Sequence, residues 1–297
     1  SGCLTPSLRV RATKHRGTKP CMGCNTSSMG NDIAKMTGLA RPPTNKTGSS
    51  VVKKKVEHAS KTGVLSLTEH KLETVPRIVF EVLGGAASKL RTLDLSHNRL
   101  DKVPERWTFP KLTTCNMSKN KLTRLPELSA SLKKLDASEN RLTDVGSALT
   151  INLEELALAK NASLGDSMWP AIAELAKLSL LDVCGCGLRT LLDGPCALPS
   201  LIDIRADDNA IETVDLAAKA PSLRRLALER NRLAAAGLPS SLLRLPSLGH
   251  LDLKGNPLSK REFLAVPGCD EFMKRREEHR KRNFLPRIVE STAKARG

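Results

Sequence analysis

Aromatic side chains are scarce in this chain, which has no tyrosine, five phenylalanines and two tryptophans among 297 residues. Proteins that read single-stranded RNA or DNA commonly stack the bases on aromatic rings. The scarcity therefore argues against base-specific recognition of nucleic acid, even though the formal net charge is +17. Electrostatic binding of RNA through basic tails stays open as an alternative.

Long apolar runs, catalytic motifs and the paired cysteine clusters of secreted repeat arrays are also missing. No run is long enough to span a bilayer, and no signal-peptide core is present. The histidines are scattered, without an H-E-x-x-H motif, a phosphate-binding loop or a nucleophile elbow. The cysteines do not form the clusters of a secreted disulfide framework, which favours a reducing compartment. We therefore predict a cytoplasmic, non-enzymatic protein that needs no cofactor or metal.

Leucine, by contrast, recurs at regular spacing. Residues 90–100 read Leu-Arg-Thr-Leu-Asp-Leu-Ser-His-Asn-Arg-Leu and fit L-x-x-L-x-L-x-x-N-x-L, the pattern of one leucine-rich repeat. With the first copy starting at Thr62, the starts are 20 to 28 residues apart, close to the period of this repeat. The first copy is degenerate and runs through Leu65, Leu67, His70 and Leu72, and later copies begin at Leu112, Leu132, Leu153, Leu178, Leu201, Leu223 and Leu248.

The repeats predict an α/β solenoid, namely a leucine-rich repeat horseshoe of about nine repeats with a parallel concave sheet and a C-terminal helical cap. Short helices are expected on the convex side at Pro76–Leu83 and Trp169–Leu175. An amide at the asparagine position of each repeat is expected to satisfy backbone groups where the chain leaves the strand. That position holds Asn98, Asn120, Asn140, Asn161, Asn209, Asn231 and Asn256, with Cys186 and His70 as exceptions.

Charge divides the chain into regions. Residues 1–61 carry 12 Lys and Arg against 2 Asp and Glu, residues 62–259 carry 25 against 23, and residues 260–297 carry 11 against 6. We interpret 1–61 as a disordered basic tail, 62–259 as the repeat array, 260–284 as a C-terminal cap helix and 285–297 as a flexible tail. The cap is expected to be helical from Asp270 to Arg282 and to close the core with Phe263, Leu264, Val266, Phe272 and Met273.

The first tail contains a candidate lipid-attachment site. Residues 22–27 read Met-Gly-Cys-Asn-Thr-Ser and fit the N-myristoylation pattern, with Gly23 as the myristate site and Cys24 as the palmitate site. This interpretation holds only if translation starts at Met22. Lys53, Lys54 and Lys55 would then strengthen binding to the cytoplasmic face of a membrane. A disordered leader or an organelle transit peptide are the alternatives for the same segment.

The two ends of the array carry a more specific resemblance. Residues 56–64, Val-Glu-His-Ala-Ser-Lys-Thr-Gly-Val, and residues 268–275, Gly-Cys-Asp-Glu-Phe-Met-Lys-Arg, resemble the family of leucine-rich repeat-containing protein 57. The resemblance covers residues 56–284 and implies a small intracellular interaction protein, associated with membranes and starting at Met-Gly. This chain departs from that family in the long linker between Gly23 and the array.

The outward positions of the array form the candidate binding surface. They mix both signs of charge with small residues, which suits a polar partner protein or helix. The alternatives are a merely soluble face with binding on the convex side or tails, and a regulatory subunit that binds an enzyme such as a phosphatase or a small GTPase. We expect a monomer that binds one or more proteins through Asp94, Ser96, His97, Asn116, Lys119, Asp136, Glu139, Lys160, Arg205, Asp207, Glu229 and Arg230.

Overall fold

The repeats form one continuous parallel sheet in the computed structural model, which describes residues 49–85, 88–104, 107, 109–146 and 149–278. Within these ranges there are nine strands, each paired with the next one along the chain. One strand per repeat confirms the predicted solenoid. The strands are β1 (Val64–Ser66), β2 (Thr92–Asp94), β3 (Thr114–Asn116), β4 (Lys134–Asp136), β5 (Glu155–Ala157), β6 (Leu180–Asp182), β7 (Asp203–Arg205), β8 (Arg225–Ala227) and β9 (His250–Asp252).

The core is a stack of the leucine positions. The central residues of neighbouring strands pair in register, for example Leu65 with Leu93 and Leu93 with Cys115, and each of the three is at most 1% exposed. Because side chains alternate along a strand, the first and third residues of each strand face away from this core. The register therefore lines up two outward rows of side chains across the sheet.

Short helices and turns connect the strands on the side away from the sheet. Helix α2 (Arg77–Leu83) follows Pro76 and confirms the first predicted helix. The second predicted helix is α3 (Trp169–Ile172), which begins at the predicted residue but ends three residues earlier. A 3-10 turn (Gly165–Met168) leads into it. A further 3-10 turn (Ala235–Gly237) precedes α4 (Ser240–Leu243). No helix in the described ranges combines the length and the apolar character needed to cross a bilayer.

The N-terminal boundary of the folded array lies earlier than the sequence indicated. Helix α1 (Ser49–Thr62) contacts α2 and β1 and buries Val52, Val56 and Ala59 at 3%, 0% and 0% exposure. The prediction of disorder up to residue 61 is therefore wrong for residues 49–61. These side chains recur at helical spacing and cover the open end of the leucine stack, which explains why the segment is ordered.

The C-terminal end is closed by two helices rather than one. Helix α5 (Lys260–Ala265) begins with a capping box between Ser259 and Glu262, and α6 covers residues 269–278 at the end of the described range. Phe272 is 1% exposed and packs edge-on against Phe263. The predicted role of Leu264 and Met273 in closing the core is wrong, since they are 48% and 39% exposed.

Candidate functional site

Each strand leads into a tight turn that ends at the asparagine position. The residue just before that position has a positive φ, for example 55° at His97 and 55° at Lys119. L side chains rarely adopt this left-handed conformation, so the surrounding bonds must stabilise it. The same conformation occurs in the described turns at Glu69, Glu139, Lys160, Gly185, Asp208, Arg230 and Gly255.

The asparagine side chains supply those stabilising bonds. Nδ2 of Asn120 donates to the carbonyl oxygens of Leu95, Met117 and Ser118 at 3.0, 3.0 and 3.1 Å, and its Oδ1 accepts from the backbone N–H of Leu100 at 3.0 Å. Two of these four bonds reach back to the preceding repeat. One amide thus joins two repeats, which confirms the predicted role. Asn98, Asn140 and Asn209 repeat the arrangement.

Cys186 and His70 occupy the same position with different chemistry. The thiol of Cys186 donates to the carbonyl oxygen of Leu158 at 3.2 Å, so it performs the donor part of the asparagine role. Burial raises the pKa of Cys186 to about 11, which keeps the thiol protonated at neutral pH. His70 lies in the terminal repeat, where its Nδ1 is 2.7 Å from the carbonyl oxygen of Thr68.

In β2, β3 and β4, and again with longer bonds of 3.2 Å in β6 and β9, the side chain at the third strand position bonds to the turn that follows it. A side-chain oxygen there accepts the backbone N–H two residues later, an Asx turn that fixes the direction of the side chain. The bond is 2.9 Å long in each of β2, β3 and β4. The pairs are Asp94 with Ser96, Asn116 with Ser118 and Asp136 with Ser138.

Only some of the predicted binding residues belong to the strands. Asp94, Asn116, Asp136 and Arg205 are the third residues of their strands and face away from the core. Ser96 follows β2 but is 4% exposed, so including it in the binding surface was wrong. The turns after the strands, not the strands as predicted, carry His97, Lys119, Glu139, Lys160, Asp207, Glu229 and Arg230.

The turn residues of neighbouring repeats form ion pairs. Nζ of Lys160 lies 3.1 Å from Oε1 of Glu139. Arg230 donates to both carboxylate oxygens of Asp208 at 2.5 and 2.8 Å and to Glu229 at 2.6 Å. The hydrogen bonds from Arg230 hold the pKa of Asp208 below its usual value. Arg230 therefore already satisfies the carboxylates beside it.

The first strand position forms a second outward row with charged residues, which the sequence analysis left out. Lys134 and Glu155 occupy it in β4 and β5, and their Nζ and Oε1 atoms are 2.7 Å apart. Asp203 and Arg225 occupy it in β7 and β8 and face each other in register. The signal was available, because strand residues two apart share a face and Arg205 was already placed on the outer face.

Asp203 lies between two arginines that it does not fully engage. Its Oδ2 is 3.9 Å from Nη2 of Arg205 and 3.7 Å from Nη1 of Arg225. Both distances exceed a normal hydrogen bond. The side chains of Arg205 and Arg225 are 44% and 53% exposed, whereas that of Asp203 is 17% exposed.

The surroundings of Cys115 and Cys184 keep their thiols protonated. Burial, reinforced by Asp94 and Asp136, raises the pKa of Cys115. Burial and the nearby Asp182 raise the pKa of Cys184. No group of three or more His, Cys, Asp and Glu side chains in the same part of the chain is arranged to hold a metal ion.

The candidate lipid-attachment residues Gly23 and Cys24 lie outside the described residues. Of the basic run behind them, Lys53 and Lys54 are exposed on α1. Nζ of Lys55 donates to the carbonyl oxygen of Ser66 at 3.2 Å. The run is therefore part of a folded helix, and one of its charges contacts the end of the first strand.

This chain matches one protein family and is similar in sequence to proteins of two types, lumican and a geranylgeranyl transferase subunit. The family described as Leucine Rich Repeat matches residues 89–108. Lumican of the rabbit Oryctolagus cuniculus is 31% identical over 135 residues, which cover 44% of this chain and 69% of that protein. The human geranylgeranyl transferase type-2 subunit alpha is 38% identical over 87 residues, 29% of this chain. This chain thereby spans only 15% of that subunit.

A solved structure shows the same fold. A leucine-rich repeat protein of Leptospira interrogans superimposes with a TM-score of 0.54 at 22% sequence identity. The superposition covers 76% of this chain and 62% of the other. This similarity shows the leucine-rich repeat fold that the repeat pattern predicted.

Proposed function

Because this chain belongs to the leucine-rich repeat family, we propose that it is a non-enzymatic scaffold or adaptor that binds a partner protein on the outer face of its sheet. Solenoids of stacked repeats commonly use an extended concave surface in this way. The observation that carries the proposal is the set of Asx bonds at Asp94, Asn116 and Asp136. They hold a row of polar side chains in one direction before any partner arrives, which lowers the entropic cost of binding.

The composition of the outer face fits a protein better than a nucleic acid. Acidic and basic side chains alternate across it, as in the pairs Lys134–Glu155 and Glu139–Lys160. A surface that tracks a phosphate backbone would instead present mainly Lys and Arg. Mixed charges of this kind favour specificity and orientation of a protein partner.

A capture experiment with the full chain tests the binding face. We expect Asp94→Asn and Asp136→Asn together to remove partners that the unchanged chain captures. Asparagine keeps the oxygen that accepts the backbone N–H, as the natural Asn116 shows, so only the charge is lost. Arg205→Glu should have a similar effect.

The matched controls are Asp101→Lys and Arg124→Glu, because both residues are exposed and lie outside the strands. A partner set that survives the changes on the sheet, or that is lost equally in the controls, would refute binding by this face.

Acylation at Gly23 and Cys24 is a further part of the proposal. Two acyl chains would anchor a protein stably to the cytoplasmic face of a membrane, where one chain gives only reversible binding. Lys53 and Lys54 are exposed on α1 and would add attraction to anionic lipid. The mass of the N-terminal peptide from the native protein tests this directly. A peptide that starts at Gly23 and carries myristate supports the tether, and one that extends upstream of Met22 rejects it.

A second candidate is a subunit that binds an enzyme. It is favoured by the similarity to geranylgeranyl transferase type-2 subunit alpha, which is itself a subunit of an enzyme. The partners captured in the same experiment distinguish the two, because this candidate requires one enzyme, such as a phosphatase or a small GTPase, at fixed stoichiometry.

A further inference from the structure

The outer face contains two arginines whose hydrogen-bonding capacity is largely unused. Arg205 and Arg225 approach one oxygen of Asp203 at 3.9 and 3.7 Å, and these are their side-chain ion pairs among the described residues. A guanidinium group carries five N–H donors. Oδ1 of Asp203 is buried without a hydrogen-bond partner in the same part of the chain, so charge rather than a hydrogen bond holds it there.

Arg230, in the neighbouring turn, has a guanidinium group that is already hydrogen-bonded to carboxylates. It makes three hydrogen bonds of 2.5 to 2.8 Å, two to Asp208 and one to Glu229. Its exposure is similar, at 54% against 53% for Arg225. The open geometry around Arg205 and Arg225 is therefore a local property and does not follow simply from exposure on the sheet.

A third arginine extends the positive charge. Arg224 is exposed directly before β8, and the backbone N–H groups of Arg224 and Arg225 donate to the carbonyl oxygen of Ile202 at 2.9 and 3.0 Å. We call Asp203, Arg205, Arg224 and Arg225 the arginine corner. With Asp182, which lies in register beside Arg205, the neighbourhood has three guanidinium groups and two carboxylates, a net charge of +1.

Apolar side chains lie beside the arginine corner. Ile202 directly precedes β7 and is 40% exposed, which is high for a large aliphatic side chain. Leu180 occupies the first, outward position of β6 and pairs in register with Asp203. Binding sites that combine an apolar anchor with arginine are typical of energetically important regions of protein interfaces.

We infer that the arginine corner is the docking point for an acidic segment of the partner, with Asp or Glu side chains next to an aliphatic one. The carboxylates would pair with Arg205, Arg224 and Arg225 in the bidentate geometry that guanidinium groups favour. The aliphatic side chain would lie against Ile202 and Leu180. The inference rests on the proposed binding by the outer face and names the chemistry of what binds there.

A displayed library of random 12-residue peptides, panned against the full chain, tests the inference. We expect enrichment of peptides with Asp or Glu beside Leu, Ile or Val. Their affinity should fall about tenfold or more in Arg224→Glu and Arg225→Glu, measured by fluorescence anisotropy with labelled peptides. Arg225→Gln, which removes the charge without reversing it, should show an intermediate loss.

Arg91→Glu is the matched control. Arg91 occupies the same repeat position as Arg224, directly before β2, and is exposed on the other half of the sheet. Circular dichroism melting curves of all variants show whether folding is retained. Panning against the Arg225→Glu variant should shift the enriched peptides towards Lys and Arg.

The remaining outcomes separate the two proposals. If enriched peptides lose affinity in Asp94→Asn with Asp136→Asn but not in the arginine variants, the outer face binds and the arginine corner does not. If binding is unchanged in all these variants, or no peptide is enriched, both proposals fail. If the arginine variants instead lose affinity for a 12-nucleotide RNA that wild type binds better than any peptide, the corner serves nucleic acid and the inference is wrong.

Discussion

Strands β2 to β4 use their outward side chains differently from β7 and β8. In β2 to β4 the third strand position carries Asp94, Asn116 and Asp136, and each bonds to its own backbone two residues later. In β7 the same position carries Arg205, whose nearest carboxylate contact is 3.9 Å long, and in β8 it carries Ala227. The turn recurs in β6 and β9, where Asp182 and Asp252 accept the N–H two residues later at 3.2 Å. The same repeat template therefore supports a turn in these strands and leaves charge available at β7 and β8.

Outward side chains on this surface differ in how far they are already bonded within the protein. The carboxylates of β2 and β4 contribute to stability through their turns, whereas the arginines of β7 and β8 contribute little to holding the chain together. The turns thus hold the charges of β2 and β4 in a fixed direction for a partner. Arg205 and Arg225 instead offer N–H donors that a partner can use without displacing short internal bonds.

The largest effect on stability should come from the core that both groups of strands share. Leu156 is the central residue of β5, between the two groups, and is 0% exposed. Leu156→Ala should lower the free energy of unfolding by about 2–5 kcal/mol, since it leaves a cavity in a continuous stack. Urea denaturation measures the loss. An unchanged midpoint would show that the repeat register is wrong.

A smaller effect is expected from the asparagine position. Asn120→Ala removes the side-chain partner of the Leu100 N–H and of three carbonyl oxygens, and should cost about 2–3 kcal/mol. Cys186→Ala should cost less in the same urea titration, because Cys186 makes one short bond, to Leu158. An equal loss at both positions would contradict the idea that the amide links repeats through its hydrogen bonds.

The smallest effects on the free energy of unfolding are expected at the outward side chains of Asp136 and Arg205. Asp136→Ala removes the bond to the Ser138 N–H and should cost about 0.5–1.5 kcal/mol, whereas Asp136→Asn keeps the bond and should melt close to wild type. Arg205→Ala should also melt close to wild type, because its ion pair with Asp203 is long, at 3.9 Å. A larger loss in Arg205→Ala than in Asp136→Ala, measured by calorimetry, would reverse the comparison between β4 and β7.

Sequence reasoning succeeded where a local pattern forces the outcome. The spacing of leucine predicted one strand per repeat, and the amide at positions such as Asn120 was expected to serve the turn, because buried backbone groups must find partners. The ends were harder to predict. Helix α1 was assigned to a tail, since Lys53, Lys54 and Lys55 look solvated and the helix is ordered by burying Val52 and Val56 against the first repeat.

The candidate site was predicted in part. Asp94, Asp136 and Arg205 were placed on the outer face, but the turn residues were assigned to the strands and the first strand position was left out. The strands have only three residues, and the left-handed turn at residues such as His97 begins sooner than the repeat pattern suggests. Charge pairing across strands, as between Asp203 and Arg225, depends on which repeats become neighbours and on side-chain reach.

The sequence by itself determined the repeat, its period and the inward leucine stack, because no single repeat can bury its own apolar side and stacking is then required. Only the tertiary structure decided where the folded array begins, which turn residues are left-handed, and which outward charges are already paired. Those properties depend on contacts between residues about one repeat apart in the chain. Packing between repeats sets the distance of 2.5 Å between Arg230 and Asp208 and that of 3.7 Å between Arg225 and Asp203.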